Sequence, residues 1–289
     1  MKILIGFLSF AFAGAALANS VTISTDHAGG NAIVLENEGS TVRLKPDLRG
    51  GRDWFYWNFD AAAAELGEVE FVFEGKLRIG VRGPALSLDE GETWDWLGTE
   101  SVHYSTPNDP TESFRYRFTE NHKKARFAVA IPYVAEDLDA FLAKHRGNPN
   151  LKISQLTKTP KGRPVELLQI GEPGENREAI IVTARHHACE SMASYVLEGF
   201  IEEAMSNAAF LDRHVLYAVP MMDKDGVEAG DQGKWRFPHD HNRDYGQKSI
   251  YPEVQAVMKL AQDVNVKHGI DFHCPSLRGE THEVFYFIG

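Results

Sequence analysis

Two adjacent histidines and a glutamate, His186, His187 and Glu190, stand in "ARHHACESM", between the apolar run "AIIV" and an amphipathic stretch. Spaced i, i+3 at a helix start, His187 and Glu190 can offer an imidazole nitrogen and a carboxylate oxygen to one cation from the same side. His273, at the end of the apolar run "GIDF" far along the chain, supplies a third donor. Two histidines and a glutamate leave a coordination position open for water, which is the pattern of catalytic rather than structural zinc. His186 competes for the role, but only His187 keeps the H-x-x-E spacing. A plainer alternative is that His187 ends a strand and Glu190 merely favours the helix N-terminus through its charge. Between the donors, "DGVEAGDQGKWRFPHDHNRDY" carries Arg236 and Arg243. Two arginines beside a zinc site suit fixed recognition of a carboxylate and of a developing oxyanion, unless they are solvated loop charges.

Such donors meet only if the fold gathers three loops. In an open α/β sheet, ligands collect outside the carboxyl ends of the strands. "RHHACE" follows "AIIVTA", "MMDKDG" follows "HVLYAVP" and "HCP" follows "GIDF", so the three segments should converge. Around them the pattern alternates: a helix over "AEDLDAFLAKH", a hairpin across "TPKGRP", a buried strand, a helix from Glu190, a strand, a helix over "YPEVQAVMKLAQDV" and a last strand. This alternation predicts an α/β domain with a mixed sheet over 135–289. From Val21 to about Tyr133 the texture differs, with short aromatic and β-branched stretches such as "VTIST", "WFYWNF", "EVEFVFEGKLRIGV", "SFRYRF" and "RFAVAIPY" separated by turn signals. The alternation from Val69 to Ile79 reads as half-buried antiparallel strand, and residues 19–134 as an all-β sandwich domain preceding the catalytic one. "SLDEGETW" fits the Asp-box turn of sialidase-like propellers, but it occurs once where propellers repeat, so it reads as a hairpin tip. The aromatics of "DWFYWNF" read as core rather than a sugar-binding surface.

Composition bounds the partners. The chain has 289 residues, 43% of them hydrophobic, and a net charge of −11, which repels polyanions and excludes nucleic acid as a natural partner. Residues 1–18, with one early lysine, a short apolar stretch and the triplet Ala16-Leu17-Ala18, read as a signal peptide cleaved after Ala18. A secreted or periplasmic protein is expected, with no membrane association after cleavage.

Taken in order, H-A-C-E (His187 to Glu190), "GKWR" (Arg236), "DHNR" (Asp240 to Arg243) and "DFHC" (His273) resemble the zinc metallocarboxypeptidase family, specifically its cytosolic-carboxypeptidase-like branch. Trp54-Phe55-Tyr56, Pro132-Tyr133 and Gly162 to Val165 also have counterparts in that branch. The resemblance implies that His187, Glu190 and His273 hold Zn²⁺, that Arg236 stabilises the oxyanion, and that Asn242 with Arg243 grips the C-terminal carboxylate of a peptide or protein. It also implies that Asp240 orients a zinc histidine through its other ring nitrogen. The reaction implied is hydrolysis of the last peptide bond.

The family's general-base glutamate and a tyrosine that closes over substrate lie well downstream of the third ligand, beyond Gly289. The sequence therefore reads as a C-terminally incomplete version of a longer protein. Glu280 and Glu283 sit too close to His273 to match the family position, so the general base is unassigned. Cys189 and Cys274 each adjoin a ligand, which leaves a disulfide, two free thiols and thiolate ligation of zinc all open. A zinc amidase or deacylase of the same superfamily and an inactive peptide-binding pseudoenzyme are the competing functions.

Overall fold

A computed structural model describes residues 21–50 and 54–274. Ten strands come first: β1 (Val21–Ser24), β2 (Ile33–Glu38), β3 (Thr41–Lys45), β4 (Asn58–Ala63), β5 (Gly67–Phe73), β6 (Ala85–Ser87), β7 (Asp95–Trp96), β8 (Val102–His103), β9 (Glu112–Phe118) and β10 (Lys124–Ala128). They form two five-stranded sheets, ordered β1-β4-β10-β6-β7 and β2-β3-β5-β9-β8, antiparallel except where β3 runs parallel to β5. Inward-facing aromatics join the sheets. Phe59 and Phe127 of one meet Phe71 and Phe114 of the other at ring-centroid distances of 5.0–5.5 Å, and Trp57 stacks on Phe73 at 4.6 Å. All six are fully buried, so the aromatic cluster is core, as its period-2 placement requires.

Two details differ from the sequence pattern. The run 54–57 precedes β4 instead of lying in it, and Tyr56 spends its backbone N–H and C=O on the Gln232 side chain, at 2.8 and 2.7 Å. The strand expected from Val69 to Ile79 stops at Phe73, because Gly75 and Leu77 take positive φ and the chain turns over a buried carboxylate. Glu112 accepts the N–H groups of Leu77, Arg78 and Ile79 at 2.7–3.1 Å and the Ser105 hydroxyl at 2.8 Å. Glu112→Ala leaves three amides and a hydroxyl without this acceptor, and an expected loss of about 3 kcal/mol or more is readable as a lower urea midpoint at unchanged slope. The single Asp box forms the β6–β7 hairpin tip, where Ser87 and Asp89 bind the turn backbone and the Trp94 indole donates to the Gly91 carbonyl.

The second layer system follows: α1 (Ala135–His145), β11 (Leu151–Lys158), β12 (Pro164–Ile170), β13 (Glu178–Ala184), α2 (Ser191–Ser206), α3 (Ala208–Leu211), β14 (His214–Val219), α4 (Lys224–Ala229), α5 (Pro252–Asp263) and β15 (His268–Phe272). The sheet order is β11-β12-β14-β13-β15, with β13 parallel to both neighbours and the β11–β12 hairpin antiparallel. Along β13, Ile180, Val182 and Ala184 face the core shared with α1 and α2, while Ala179 and Ile181 face the core shared with α5. A strand covered on both faces must be apolar throughout, which "AIIVTA" nearly is. In register, Thr183 lies beside Val219 and Ala184 beside Phe272, so the carboxyl ends of β14, β13 and β15 finish level. Among the described residues no helix is long and apolar enough to cross a membrane.

Candidate metal centre

The loop after β13 is held in an unusual shape. Arg185 adopts φ 62°, a conformation costing about 1 kcal/mol for a residue with a side chain. Its fully buried guanidinium compensates by donating to the carbonyls of Ala188 and Tyr133 and to the Ser194 hydroxyl. Met222 and Asp223 then donate their N–H groups to the carbonyls of Ala184 and Arg185, which ties the β14 exit to the β13 exit. Gly233, at φ +82°, backs the same loop. A Cβ there would sit 2.2 Å from the Ala188 nitrogen and 2.5 Å from the His187 Cα.

On this frame the three proposed donors come together. The Nδ1 of His187 lies 2.9 Å from one Glu190 oxygen, and the Nδ1 of His273 lies 2.7 Å from the other. Candidate ligand atoms of the three residues all fall within 4.8 Å of one another. Glu190 is the N-cap of α2, yet its carboxylate makes no cap hydrogen bond and turns to the histidines instead. His187 and Glu190 are buried, whereas the His273 side chain is 30% exposed, so the centre opens on one side. Burial works against ionised Glu190, but the bonds from His187 and His273 outweigh it and hold the carboxyl below its ordinary range. Burial likewise opposes charge on His273, and hydrogen bonds to Asp271 and Glu190 overcome it, raising the ring to about 10. His187 is raised for the same reason, by Asp240 and Glu190.

The other residues singled out in the sequence fall in several places. Asp240 sits 3.2 Å from the Nε2 of His187 and also caps the turn that follows it, accepting the Asn242 N–H at 2.7 Å. The Asn242 amide nitrogen lies 2.7 Å from the Nε2 of His273 and 3.2 Å from Asp271. Arg243 is exposed, and among the described residues its guanidinium donates only to the neighbouring Asn242 carbonyl, at 3.3 Å. Arg236 is partly buried and taken up by Asp223 and Asp231, although its Nε has no hydrogen-bond partner among the described residues. His186 turns away from Glu190: its ring nitrogens meet Asp271 at 2.9 Å and the Tyr245 hydroxyl at 2.7 Å. The leader expected over residues 1–18, Glu280 and Glu283 lie outside the described residues.

Several site residues went unread in the sequence: Arg185, Asp223, Tyr245 and above all Asp271. A signal for Asp271 existed, because residues i and i+2 of a strand share a face and Asp271 is two before His273. With His186 and His273 it forms a second group whose ligand atoms lie within 4.8 Å.

Cys189 packs into the sandwich core and Cys274 against the α/β core, and both are free thiols. Burial pushes Cys274 up to about 12 and Cys189 well above its ordinary value, so neither is poised as a thiolate. Denatured, unreduced protein should titrate with two thiols; none would mean a bridge.

Residues 138–277 match the family described as zinc carboxypeptidase. That segment is a zinc carboxypeptidase domain. Human cytosolic carboxypeptidase 2 is 27% identical over 206 residues, covering 62% of this chain and 23% of its own length. Cytosolic carboxypeptidase 6 of Caenorhabditis elegans is 25% identical over 240 residues, covering 75% of this chain and 52% of its own. The chain thus spans about a quarter and about half of these two relatives. The fold is shared with the metallo-carboxypeptidase of Burkholderia cenocepacia, at TM-score 0.73 and 22% identity over 89% of this chain and 71% of that one. It is shared equally with the metallo-carboxypeptidase of Pseudomonas aeruginosa, solved in complex with (2-guanidinoethylmercapto)succinic acid, at TM-score 0.73 and 23% identity over 88% and 70%.

Proposed function

We propose that the protein is a zinc-dependent carboxypeptidase that hydrolyses the C-terminal peptide bond of peptides or proteins. The observation that carries this is the convergence of two Nδ1 atoms on the two oxygens of one buried carboxylate. That donor set fits zinc: two imidazoles and a carboxylate, closed behind and open in front. His187, Glu190 and His273 would hold the ion, which when bound supplies Lewis acidity toward a carbonyl and acidifies water. Asp240 keeps the proton of His187 on Nε2, leaving Nδ1 free to ligate. Arg243, exposed and adjacent to Asn242, offers a planar fork to the chain-terminal carboxylate, which an internal peptide bond lacks. The compound bound by the Pseudomonas aeruginosa protein is by its name a succinic acid, which agrees with a site that receives carboxylates. For Arg236 to meet an oxyanion it must use its unpartnered Nε or loosen from Asp223. We assign the general base to no described residue.

Incubating the full-length protein with unblocked peptides should release residues singly from the C-terminus, with amidated peptides resistant. Release of an acyl group would indicate the deacylase. Tight binding without turnover would indicate the pseudoenzyme.

We likewise propose that the protein is exported and that it divides into a sandwich domain over 19–134 and a catalytic domain over 135–289. Export rests on the pattern of residues 1–18 alone, against relatives named as cytosolic. An N-terminus at Asn19 in recovered protein would support it, and one at Met1 would end it.

A further inference from the structure

The two histidines of the centre are held in parallel fashion. Each presents Nδ1 to Glu190 and Nε2 to another carboxylate: His187 to Asp240 at 3.2 Å, His273 to Asp271 at 2.6 Å. The shorter of these contacts belongs to Asp271, which stands in "DFHC" with no role assigned to it. We propose that Asp271 is the positioning residue of His273, fixing the proton on Nε2 so that Nδ1 is the ligating atom. This rests on the reading of His187, Glu190 and His273 as the metal site.

Strand geometry and packing make Asp271 fit for the task. It lies on β15 two residues before His273, a spacing that turns both side chains to one side of extended chain, and its other oxygen is seated by the Thr183 hydroxyl at 2.8 Å and the His186 ring at 2.9 Å. His186 is itself anchored through its second nitrogen by Tyr245. A carboxylate anchored this way has little freedom to leave His273. Asn242 also reaches Nε2, but an amide nitrogen cannot donate to a ring nitrogen that carries a proton. Asn242 must then turn its oxygen inward or swing out toward substrate, whereas Asp271 stays seated.

The rival reading of the same cluster is a second metal bound by His186, Asp271 and His273. It requires His273 to ligate through both nitrogens at once, hence to lose both protons, while Asp271 already accepts from two imidazoles and a hydroxyl. The geometry favours one ion with a positioned ligand.

The test uses the full chain with zinc and with cobalt(II). Wild type should bind one zinc, and Asp271→Ala should still bind one, with affinity lower by about 10- to 100-fold, measured by chelator competition. Asp271→Asn, whose amide oxygen can still accept from Nε2–H, should recover part of that loss. It also serves as the readable variant if Asp271→Ala does not fold. In the cobalt(II) protein, two shifted exchangeable ring N–H signals are expected; Asp271→Ala should speed exchange of one, and Asp271→Asn, which keeps an acceptor for Nε2–H, should slow it again, a rescue that mere loosening of β15 would not give. Wild-type affinity and exchange in both variants would overturn the proposal. So would two zinc ions in wild type with one lost on substitution and the other's affinity unchanged. Failure of wild type to bind zinc, or undiminished binding by Glu190→Ala, would instead remove the metal-site reading and this proposal with it.

Discussion

Replacing Glu190 by alanine should abolish stoichiometric zinc binding. Binding free energies of about 10–16 kcal/mol are typical of full protein zinc sites. One ligand of three therefore carries roughly 3–5 kcal/mol, more than two orders of magnitude in affinity. Glu190 carries more than a passive share, because it organises the centre before metal arrives by bonding both histidines. Its removal leaves two imidazoles facing each other, with ring centroids 4.8 Å apart and no anion between them. The same contacts dictate the pH dependence. Because burial is outweighed by hydrogen bonds from Asp271 and Glu190, His273 in metal-free protein stays protonated up to about pH 10. Zinc must displace that proton, so apparent affinity should rise from pH 6 to pH 8, with proton release visible by calorimetry in buffers of different ionisation enthalpy. Flat affinity over that range would mean that His273 is not a ligand.

Arg243→Ala is expected to have the second largest effect, on substrate alone. Zinc affinity should stay at the wild-type value, because the Arg243 guanidinium touches none of the three donors. Binding of a peptide with a free C-terminus should weaken by about 2–5 kcal/mol, at least thirtyfold. Amidating the peptide should cost wild type a similar amount and cost the variant almost nothing, since each change deletes one half of the same pair. Lysine at this position should restore only part of the loss, because a point charge cannot reproduce the bidentate fork. Equal losses for both peptides in the variant would place Arg243 elsewhere in recognition.

Much of this was legible in the sequence, for stated physical reasons. The apolar strand "AIIVTA" has to be covered on both faces, and the loops that leave such strands at their carboxyl ends must meet. That reasoning brought His187, Glu190 and His273 together, and β13, β14 and β15 do end level. The i, i+3 spacing separated His187 from His186, and His186 indeed faces Asp271 rather than Glu190. What escaped was long-range polar pairing. Glu112 looks like one more charged residue of an alternating strand, yet it is buried and ends the run begun at Val69, because three amides turn onto it. Arg185 reads as a strand-end charge, and only its partners Tyr133 and Ser194, distant or on the next helix, reveal a staple. Arg236 stands in a motif that marks it for catalysis, and nothing local says that Asp223 and Asp231 occupy it.

X-ray absorption at the zinc edge of the purified full-length protein asks most directly whether the ion is clasped by His187, Glu190 and His273. Two imidazole nitrogens at about 2.0–2.1 Å with one or more oxygens at about 2.0–2.2 Å are expected, and no sulfur. A sulfur shell at about 2.3 Å would transfer the ion to Cys189 or Cys274 and contradict the site. Protein that holds no zinc after equilibration would contradict it altogether.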